Sequence, residues 1–542
     1  MENKTDMEKR LEELAAYVAS LEAENNKLKS ENTSLKKSNE KLQISLENLN
    51  EQIIKRNKML FGKKTEKAKY YCEGQLCFFN EAELEYNKGA KEPTPETIHV
   101  AAHDRKQKRS KEEILAGIEH REVVIRLDQS ERICKNCGAE LTVIGKEFIR
   151  SQIEIIPEQV YIVDVYAETY KCAECEKKTD SAEIIKPVIS ERPIKKSMAS
   201  ASAIAYVMTE KFQMGTPLYR LEQYWKSRGV DLNRNTLARW VIHGSLVFKP
   251  LINYLNRLFN TLRVAHCDET GFNVLKRDGT PMNKRSTMWV RVSGKHEKHQ
   301  FALYNYMRSK SQEAANELLG GFRGSLTTDG YEVYRNLTEC THTGCHAHGR
   351  RKFLDSVPKG RQDGKAYEAL QLITRMYDLE RKIQENAATL DEIKIQRQEK
   401  IKPVLEAYFA CAESANPLPG SHLDTAVNYV LKRKPELSVF IDNPEVAIDN
   451  NRAERAIKPF VMARKNFLFA DTEKGAEASA DVFSIIETAK MNKLDVFGYL
   501  NFLLTELPKF GNDPTEEQLA TVLPWNGMLP DYCMNQSKKI IS

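Results

Sequence analysis

The sequence lacks any apolar run long enough to cross a membrane, since no hydrophobic stretch approaches the roughly 18 residues that a span requires. Its first residues, MENKTDMEKRLEE, contain no apolar core that would direct secretion. It also has little excess charge, +6 over 542 residues of which 29% are charged. A nucleic-acid surface must therefore come from local basic clusters. These absences predict a cytoplasmic protein with no membrane partner.

The cysteine pattern argues against a disulfide framework. Eleven cysteines is an odd count, and four of them form two Cys-x-x-Cys pairs: Cys134 with Cys137, and Cys172 with Cys175. In a reducing compartment such pairs favour metal binding. Four thiolates complete a tetrahedral structural Zn²⁺ site with no open position for chemistry. We expect a ribbon-like zinc module over 121–186, with a hairpin between the pairs; a redox pair and unrelated free thiols are the alternatives.

Leucine recurs every seven residues near the amino terminus, from Leu14 to Leu49. Three asparagines occupy successive positions of the second apolar series: Asn25, Asn32 and Asn39. Buried asparagines need an amide partner across a seam, so they fix register and oligomeric state. The pattern predicts a leucine-zipper coiled coil over 1–60 and a homodimer or higher homo-oligomer. The alternative is one amphipathic helix packed on the body of the chain.

Residues 61–120 show no sustained periodicity and predict a linker. Residues 187–258 predict a helical segment. In PLYRLEQYWKSRGVDLNRNTLARWV, Gly229 separates two helical patterns, and Arg234 and Arg239 lie on the second. This order of a helix, a glycine turn and a second helix resembles a DNA-binding helix-turn-helix motif, although ordinary helical pairs share this spacing.

Two acids mark the next segment. RVAHCDETGFNVL predicts a strand carrying Asp268, and two further strands and a helix lead to GSLTTDGY, a fourth strand that ends at Asp329. This order is ribonuclease H-like, and it places the first and fourth strands side by side. We expect a multidomain α+β protein whose catalytic core spans 259–495. A carboxy-terminal tail spans 496–542.

The third acid should lie on a later helix, and Glu454 in AIDNNRAERAIKPF is the candidate. Asp449 or Asn450 can cap this helix. Asn450 and Asn451 precede Glu454 by four and three residues, so they share its face and support it. Pro459 should end or kink the helix. Asp355 and Asp449 are rival third acids.

Three carboxylates suit a pair of Mg²⁺ ions, or Mn²⁺ ions, which catalyse in-line phosphoryl transfer. Glu269 neighbours Asp268 and should point to the other face of the strand as a structural residue. His348 is expected to support the site; a second zinc site from His342, Cys345, His346 and His348 is the alternative. The basic residues expected to neutralise the DNA backbone are Arg350, Arg351, Lys352, Arg452, Arg455, Lys458, Arg464 and Lys465.

Four motifs in this order, HCDET, TTDGY, CHAHGRRKF and DNNRAERAIKP, resemble the transposases of insertion-sequence family sixty-six, which belong to the DDE group. LFGKKTEK, PLYRLEQYW and ATVLPWN extend the resemblance over nearly the whole chain. It implies Asp268, Asp329 and Glu454 as the catalytic triad, with DNA cleavage and strand transfer at the ends of an insertion sequence. It also implies a helical insertion in the core, at about 355–440, between the second acid and the third. It also implies transposon-end and target DNA as partners, accessory proteins of the same element, and a location at the nucleoid. A nuclease of the same fold without strand transfer, and a catalytically inactive DNA-binding protein, are the alternative functions.

Overall fold

The computed structural model describes residues 191–277, 285–357 and 363–535, together with shorter stretches. These are residues 17–39 with a few neighbouring positions, residues 160–168, and the pairs 170–171, 184–185 and 280–281. The predicted linker and the four cysteines predicted to bind zinc lie outside the described residues. No helix of the described part is long and apolar enough to cross a membrane.

The amino-terminal heptads form a helix over residues 17–39. Its leucines are exposed, Leu21 by 46%, Leu28 by 57% and Leu35 by 68%. Most helices in proteins are stabilised by packing of an apolar face, so this stripe leaves a large source of stability unused in the single chain. The predicted helix is confirmed over these residues, and its pairing with a second copy stays a prediction.

The larger described part divides into two compact units, one containing residues 248–491 and the other containing 191–247 with 492–535. The second unit begins with α1 (Ala201–Met208), α2 (Leu218–Ser227) and α3 (Arg234–Leu246). Gly229, with φ +81°, follows α2, and Asn233 caps α3 by accepting a 2.9 Å hydrogen bond from the Thr236 amide. Trp225 and Trp240 pack between α2 and α3. The expected order of helix, glycine turn and helix is confirmed.

The first unit is built on a five-stranded mixed sheet. Its first elements in chain order are α4 (Lys249–Phe259), β1 (Val264–Phe272), β2 (Val274–Arg277), β3 (Ser286–Ser293), β4 (Ala302–Met307), α5 (Gln312–Leu319), β5 (Ser325–Thr327), α6 (Glu332–Arg335) and β6 (Thr341–Thr343). The spatial order is β4-β3-β1-β5-β6. β4, β3 and β1 pair antiparallel, whereas β5 is parallel to β1 and β6 is parallel to β5.

Helices fill the stretch expected as an insertion. They are α7 (His346–Ser356), α8 (Lys365–Asn386), α9 (Leu390–Gln396), α10 (Lys402–Glu413), α11 (His422–Lys432) and α12 (Lys434–Asp442). They share an apolar core that includes Ile373, Met376 and Phe440. Arg397 lies inside this core at 1% exposure, and its guanidinium binds the Glu380 carboxylate at 2.5 and 2.9 Å. The same guanidinium donates to the Phe440, Asn443 and Val446 carbonyls, which satisfies a charge that is otherwise costly to bury.

The chain then returns to the sheet through α13 (Asn451–Phe467), the short strand β7 (Ala470–Thr472) and α14 (Glu473–Met491). α14 covers β4, an edge strand of the sheet. The Ala302 amide donates to Thr488 Oγ1 at 3.1 Å, and the Tyr304 amide donates to Ser484 Oγ at 2.7 Å. Backbone groups that an edge strand leaves unpaired are thereby satisfied by helix side chains.

The predicted tail carries helices α15 (Val496–Glu506) and α16 (Glu516–Val522). α15 packs against α1 within the second unit, which is helical. Its apolar residues Leu500, Leu503 and Leu504 are fully buried. The segment 496–535 is therefore a packed part of that unit rather than a peripheral tail, because burying these leucines requires a partner surface.

Candidate active site

Strand pairing brings the first two acids together. His266 of β1 pairs with Thr327 of β5 in parallel register. Asp268, within β1, lies two residues beyond His266, and Asp329, just after β5, lies two residues beyond Thr327, so the two acids occupy matching positions on neighbouring strands. The expected adjacency of the two acid-bearing strands is confirmed by this register.

Asn450 connects the helix of the third acid to the same strand. Its side chain is fully buried; Nδ2 donates to the Cys267 carbonyl at 2.8 Å, and Oδ1 lies 3.2 Å from His266 Nδ1. Its backbone amide donates to Cys345 Sγ at 3.2 Å. Since Asn450 precedes Glu454 by one helical turn, this contact directs the start of α13 toward Asp268.

The carboxylate of Asp449 binds the first residue of this helix, Asn451. It accepts hydrogen bonds from the Asn451 amide at 3.0 Å and from Asn451 Nδ2 at 2.6 Å. The helix does not end at Pro459 but continues to Phe467. Proline removes one backbone hydrogen bond, and the burial of Phe460 and Ala463 on the far side of it offsets that loss. Pro459 therefore does not end the helix, which was one of the two predicted effects; a kink at Pro459 stays a prediction.

The three acids interact electrostatically. Burial, together with the neighbouring charges of Glu269, Asp329 and Glu454, raises the pKa of Asp268 to about 8. The Tyr331 amide donates to Asp329 Oδ1 at 2.9 Å, which orients that carboxylate. Carboxylates held together in this way repel one another unless a proton or a cation lies between them.

Helix α7 faces Glu454 with a histidine and an arginine. His348 Nδ1 lies 3.6 Å from Glu454 Oε1, and Arg351 Nη2 lies 3.6 Å from Glu454 Oε2. Burial lowers the pKa of His348, which favours the neutral imidazole. Glu454 Oε1 is buried and receives no hydrogen bond from the part of the chain that the structure describes. That oxygen is available to a cation.

The cluster of histidines and cysteine considered as a second zinc site does not converge. His342 donates to the Leu337 carbonyl at 2.7 Å, and His346 donates to the Leu437 carbonyl at 2.9 Å. Only Cys345 and His348 of that set approach one another, together with Glu454. Burial raises the pKa of the Cys345 thiol to about 12, and a protonated thiol is a poor ligand.

Glu269 sits in a network that sequence reasoning did not find. Its carboxylate is 2% exposed and binds Lys310 Nζ and the Tyr334 hydroxyl. Lys310 Nζ also lies 3.8 Å from the ring centre of Tyr331, two residues after Asp329. Lys310 comes from the loop between β4 and α5, and no motif marked it. The network ties the Asp329 loop to β1, consistent with a structural Glu269.

The predicted basic residues divide into two groups. Arg452 donates to the Ser293 carbonyl at 2.5 Å and to the Gln300 side chain, and Arg464 binds Thr270 Oγ1 at 3.0 Å. Both guanidinium groups thus hold α13 on the sheet. Arg351 and Arg455 are exposed. Lys352 lies over the ring of Tyr429, and Arg350 and Lys458 are half-buried.

In the helical unit, Arg234 and Arg239 are both exposed on α3. Arg234 lies 5.9 Å from the ring centre of Tyr219 on α2. They are five residues apart on one helix, and the neighbouring Asn235 is exposed as well. The helix therefore presents polar and basic side chains to solvent.

Comparison with known families adds independent findings. The profile described as "Transposase IS66 family" matches residues 196–478, and that of the "zinc-finger binding domain of transposase IS66" matches 131–176. The "IS66 C-terminal element" matches 484–525, and "Transposase C of IS166 homeodomain" matches 48–123. The zinc-finger and homeodomain matches support bound zinc and DNA binding.

Two relatives are the uncharacterized proteins y4jD and y4hP of Sinorhizobium fredii. The first is 28% identical over 417 residues, 74% of this chain and 79% of the relative. The second is 25% identical over 441 residues, 75% of each. No solved structure matches the chain. The first of the family profiles alone spans more than half of the sequence, and the chain belongs to the IS66 family of transposases.

Proposed function

We propose that this transposase cleaves DNA strands at the ends of an insertion sequence and joins them to target DNA. Asp268, Asp329 and Glu454 are its catalytic acids, carried on a ribonuclease H-like core. The observation that carries the proposal is the convergence of the three acid-bearing elements: parallel pairing aligns the strands of two acids, and Asn450 brings the helix of the third to the same strand. The strand order, with three antiparallel strands followed by two parallel ones, supports the core assignment.

The residues present fit divalent metal ions. Three carboxylates repel one another, and one oxygen of Glu454 is buried without a hydrogen bond from the described residues. Hard cations such as Mg²⁺ and Mn²⁺ prefer such oxygens. Two bound ions would activate the attacking oxygen and stabilise the leaving oxygen of an in-line phosphoryl transfer.

The surrounding side chains have separate roles in this proposal. Arg351, exposed and beside Glu454, is placed to neutralise a phosphate that reaches the acids. Neutral His348 packs against Glu454 and limits its orientation. Asn450 fixes the distance between α13 and β1, on which the geometry of three ligands depends.

In this proposal the other modules bind zinc and DNA and bring copies of the chain together. Cys134, Cys137, Cys172 and Cys175 hold the structural Zn²⁺, and α3 contacts DNA through Arg234 and Arg239. The amino-terminal helix pairs two or more copies of the chain. Such an arrangement separates end recognition from chemistry, so changes to the acids should spare DNA binding.

Replacing each acid by its amide tests the chemistry. Asp268→Asn, Asp329→Asn and Glu454→Gln keep side-chain shape but remove a metal-binding charge. Each should lose strand cleavage and strand transfer by at least about a hundredfold, the typical cost of one electrostatic contact to the transition state. Both steps are measured on labelled DNA ends with Mg²⁺ or Mn²⁺, and binding is measured with Ca²⁺.

Asp355→Asn is the matched control, because Asp355 is an exposed acid on α7. It should keep wild-type activity. If Glu454→Gln cleaves normally while Asp355→Asn or Asp449→Asn does not, Glu454 is the wrong third acid. Joining of pre-cut ends separates a transposase from a nuclease, since a nuclease would cut but not join.

A further inference from the structure

A pocket opens directly beside Asp329, between its loop and the helical insertion. It has a volume of about 470 Å³. Its walls are the loop from Asp329 to Tyr331, part of α7, and one face of α11. The α11 face carries Thr425, Asn428 and Lys432, all exposed.

The wall formed by α11 is fixed to the loop of the catalytic acid. The Tyr429 hydroxyl lies 3.3 Å from the Asp329 carbonyl and 2.9 Å from the Cys345 carbonyl. Arg433 donates to the Gly330 carbonyl. A Cβ at Gly330 would clash with Arg433 Nε, so this glycine, with φ +85°, allows the close approach. The insertion therefore lies where it can contact a ligand that binds at Asp329.

The pocket contains cations that have no acidic partner among the described residues. Neither Lys352 nor Lys432 forms an ion pair with any carboxylate in the part of the chain that the structure describes. Asp424, the other acid of the lining, is engaged by the Gly420 amide at 2.8 Å and by Asn428 Nδ2 at 2.7 Å. Lys432 is eight residues further along α11, about 12 Å away at 1.5 Å per residue. The end of the pocket at Lys432 and Arg433 is thus positively charged.

We propose that this pocket binds the sugar-phosphate backbone of a single DNA strand next to the scissile phosphate. Lys432 and Lys352 contact its phosphates, and Asn428 Nδ2, which gives one of its two hydrogens to Asp424, donates the other. The inference rests on the proposed function, since a strand cut at the acids must continue beyond Asp329. The volume matches a site for one small ligand, so it holds about one nucleotide unit and excludes a duplex.

Backbone contact rather than base stacking is favoured by the aromatic groups. The ring of Tyr429 already lies under Arg433 at 4.7 Å and Lys352 at 5.4 Å. The ring of Tyr331 lies under Lys310. With cations on both rings, the pocket presents charge and hydrogen-bond donors, which recognise phosphate irrespective of sequence.

The experiment uses the full chain carrying Glu454→Gln, so that binding is measured without turnover. The probe is a 12-nucleotide single-stranded DNA of mixed sequence. Adding Lys432→Ala should weaken binding about fivefold, the effect of one exposed ion pair near 1 kcal/mol. The slope of log affinity against log salt should become shallower by about 0.7, as expected for one lost phosphate contact on a single strand.

Lys402→Ala is the matched control, because Lys402 is an exposed lysine of the same insertion that does not line the pocket. It should leave affinity and slope unchanged. A neutral methylphosphonate near the 3′ end of the probe should weaken binding to the Glu454→Gln protein but cause no further loss in the Lys432→Ala variant. Equal affinity and slope for Lys432→Ala and Lys402→Ala would overturn the proposal.

Failure of the proposed chemistry is recognised separately. Strand transfer by the wild-type chain is assayed in parallel. If Lys432→Ala weakens binding while the wild type shows no metal-dependent turnover, the pocket stands and the transposition chemistry does not.

Discussion

At the residue scale, local patterns indicated the candidate acids but not the contact that brings their elements together. Asp268 and Asp329 followed from strand patterns, because an acid at the end of an apolar run is visible in one segment. The hydrogen bond from Asn450 to the Cys267 carbonyl joins residues 183 positions apart. No local pattern encodes such a pair, and the sequence assigned Asn450 only a capping and supporting role.

Arg452 is a residue whose type is visible in the sequence but whose direction on the helix is not. A basic residue beside a predicted catalytic acid suggested contact with DNA, yet its guanidinium donates to the Ser293 carbonyl and to the Gln300 side chain. Which way a side chain leaves a helix depends on tertiary packing, since basic residues serve equally as surface charges and as internal donors. Composition could not distinguish Arg452 from the exposed Arg455.

Asn450→Ala should impair the catalytic centre more than DNA binding. It removes a buried donor and acceptor and leaves the Cys267 carbonyl unpaired, which should lower the free energy of unfolding by about 1–3 kcal/mol. Because α13 loses its link to β1, strand transfer should fall further than stability does. Thermal unfolding and strand transfer of the full chain measure the two effects. Asn451→Ala, at a half-buried neighbour, should be milder, and wild-type behaviour of Asn450→Ala would contradict the positioning role.

At the element scale, local sequence patterns predicted the main strands, whereas the helical insertion was expected from the family resemblance. The strand expected over the Asp268 segment is Val264–Phe272, and the helix expected before Asp329 is Gln312–Leu319. The spacing of apolar residues within one segment is a local signal, so it can be read without knowledge of the tertiary structure. The short strand β6 and its place at the sheet edge were not predicted, because three residues carry too little pattern.

The buried ion pair of the insertion predicts a strong stability effect. Arg397→Met leaves the Glu380 carboxylate uncompensated in an apolar core, which should cost about 3–5 kcal/mol. Arg397 also holds the Phe440, Asn443 and Val446 carbonyls just before Asp449, so the start of α13 should loosen as well. Thermal unfolding is the measurement, with loss of strand transfer as a second reading.

Arg381→Met is the control for this pair. Arg381 is on α8 and forms an exposed ion pair with Asp378 at 3.1 Å, worth about 0–1 kcal/mol. The double variant Arg397→Met with Glu380→Met should recover part of the loss, because apolar residues can replace a buried ion pair. Equal melting of Arg397→Met and Arg381→Met would show that the buried pair is not a stabilising contact.

At the scale of the whole molecule, the family match and the motifs agree on a transposase assembled from separate modules. The zinc-finger match covers all four candidate ligands, from Cys134 to Cys175. Each predicted module has a local sequence signature that can be recognised by itself. The relative placement of modules depends on surfaces that have no such signature.

The amino-terminal helix supplies the last prediction. Leu21, Leu28 and Leu35 are exposed in the single chain, and burying such a stripe against a second copy would stabilise a dimer at roughly 25 cal/mol per Å² of apolar area. Replacing Asn25, Asn32 and Asn39 together by leucine should raise the melting temperature of the coiled coil and mix its oligomeric states, since buried amides specify register at a cost in stability. Sedimentation of the full chain without DNA should give one dimeric species for the wild type and several species for the triple variant. Replacing the exposed Lys27, Lys37 and Lys41 by glutamine is a control that leaves the leucines and asparagines in place, and it should sediment like the wild type. A wild-type chain that sediments as a monomer at micromolar concentration would show that the leucine stripe does not join two copies.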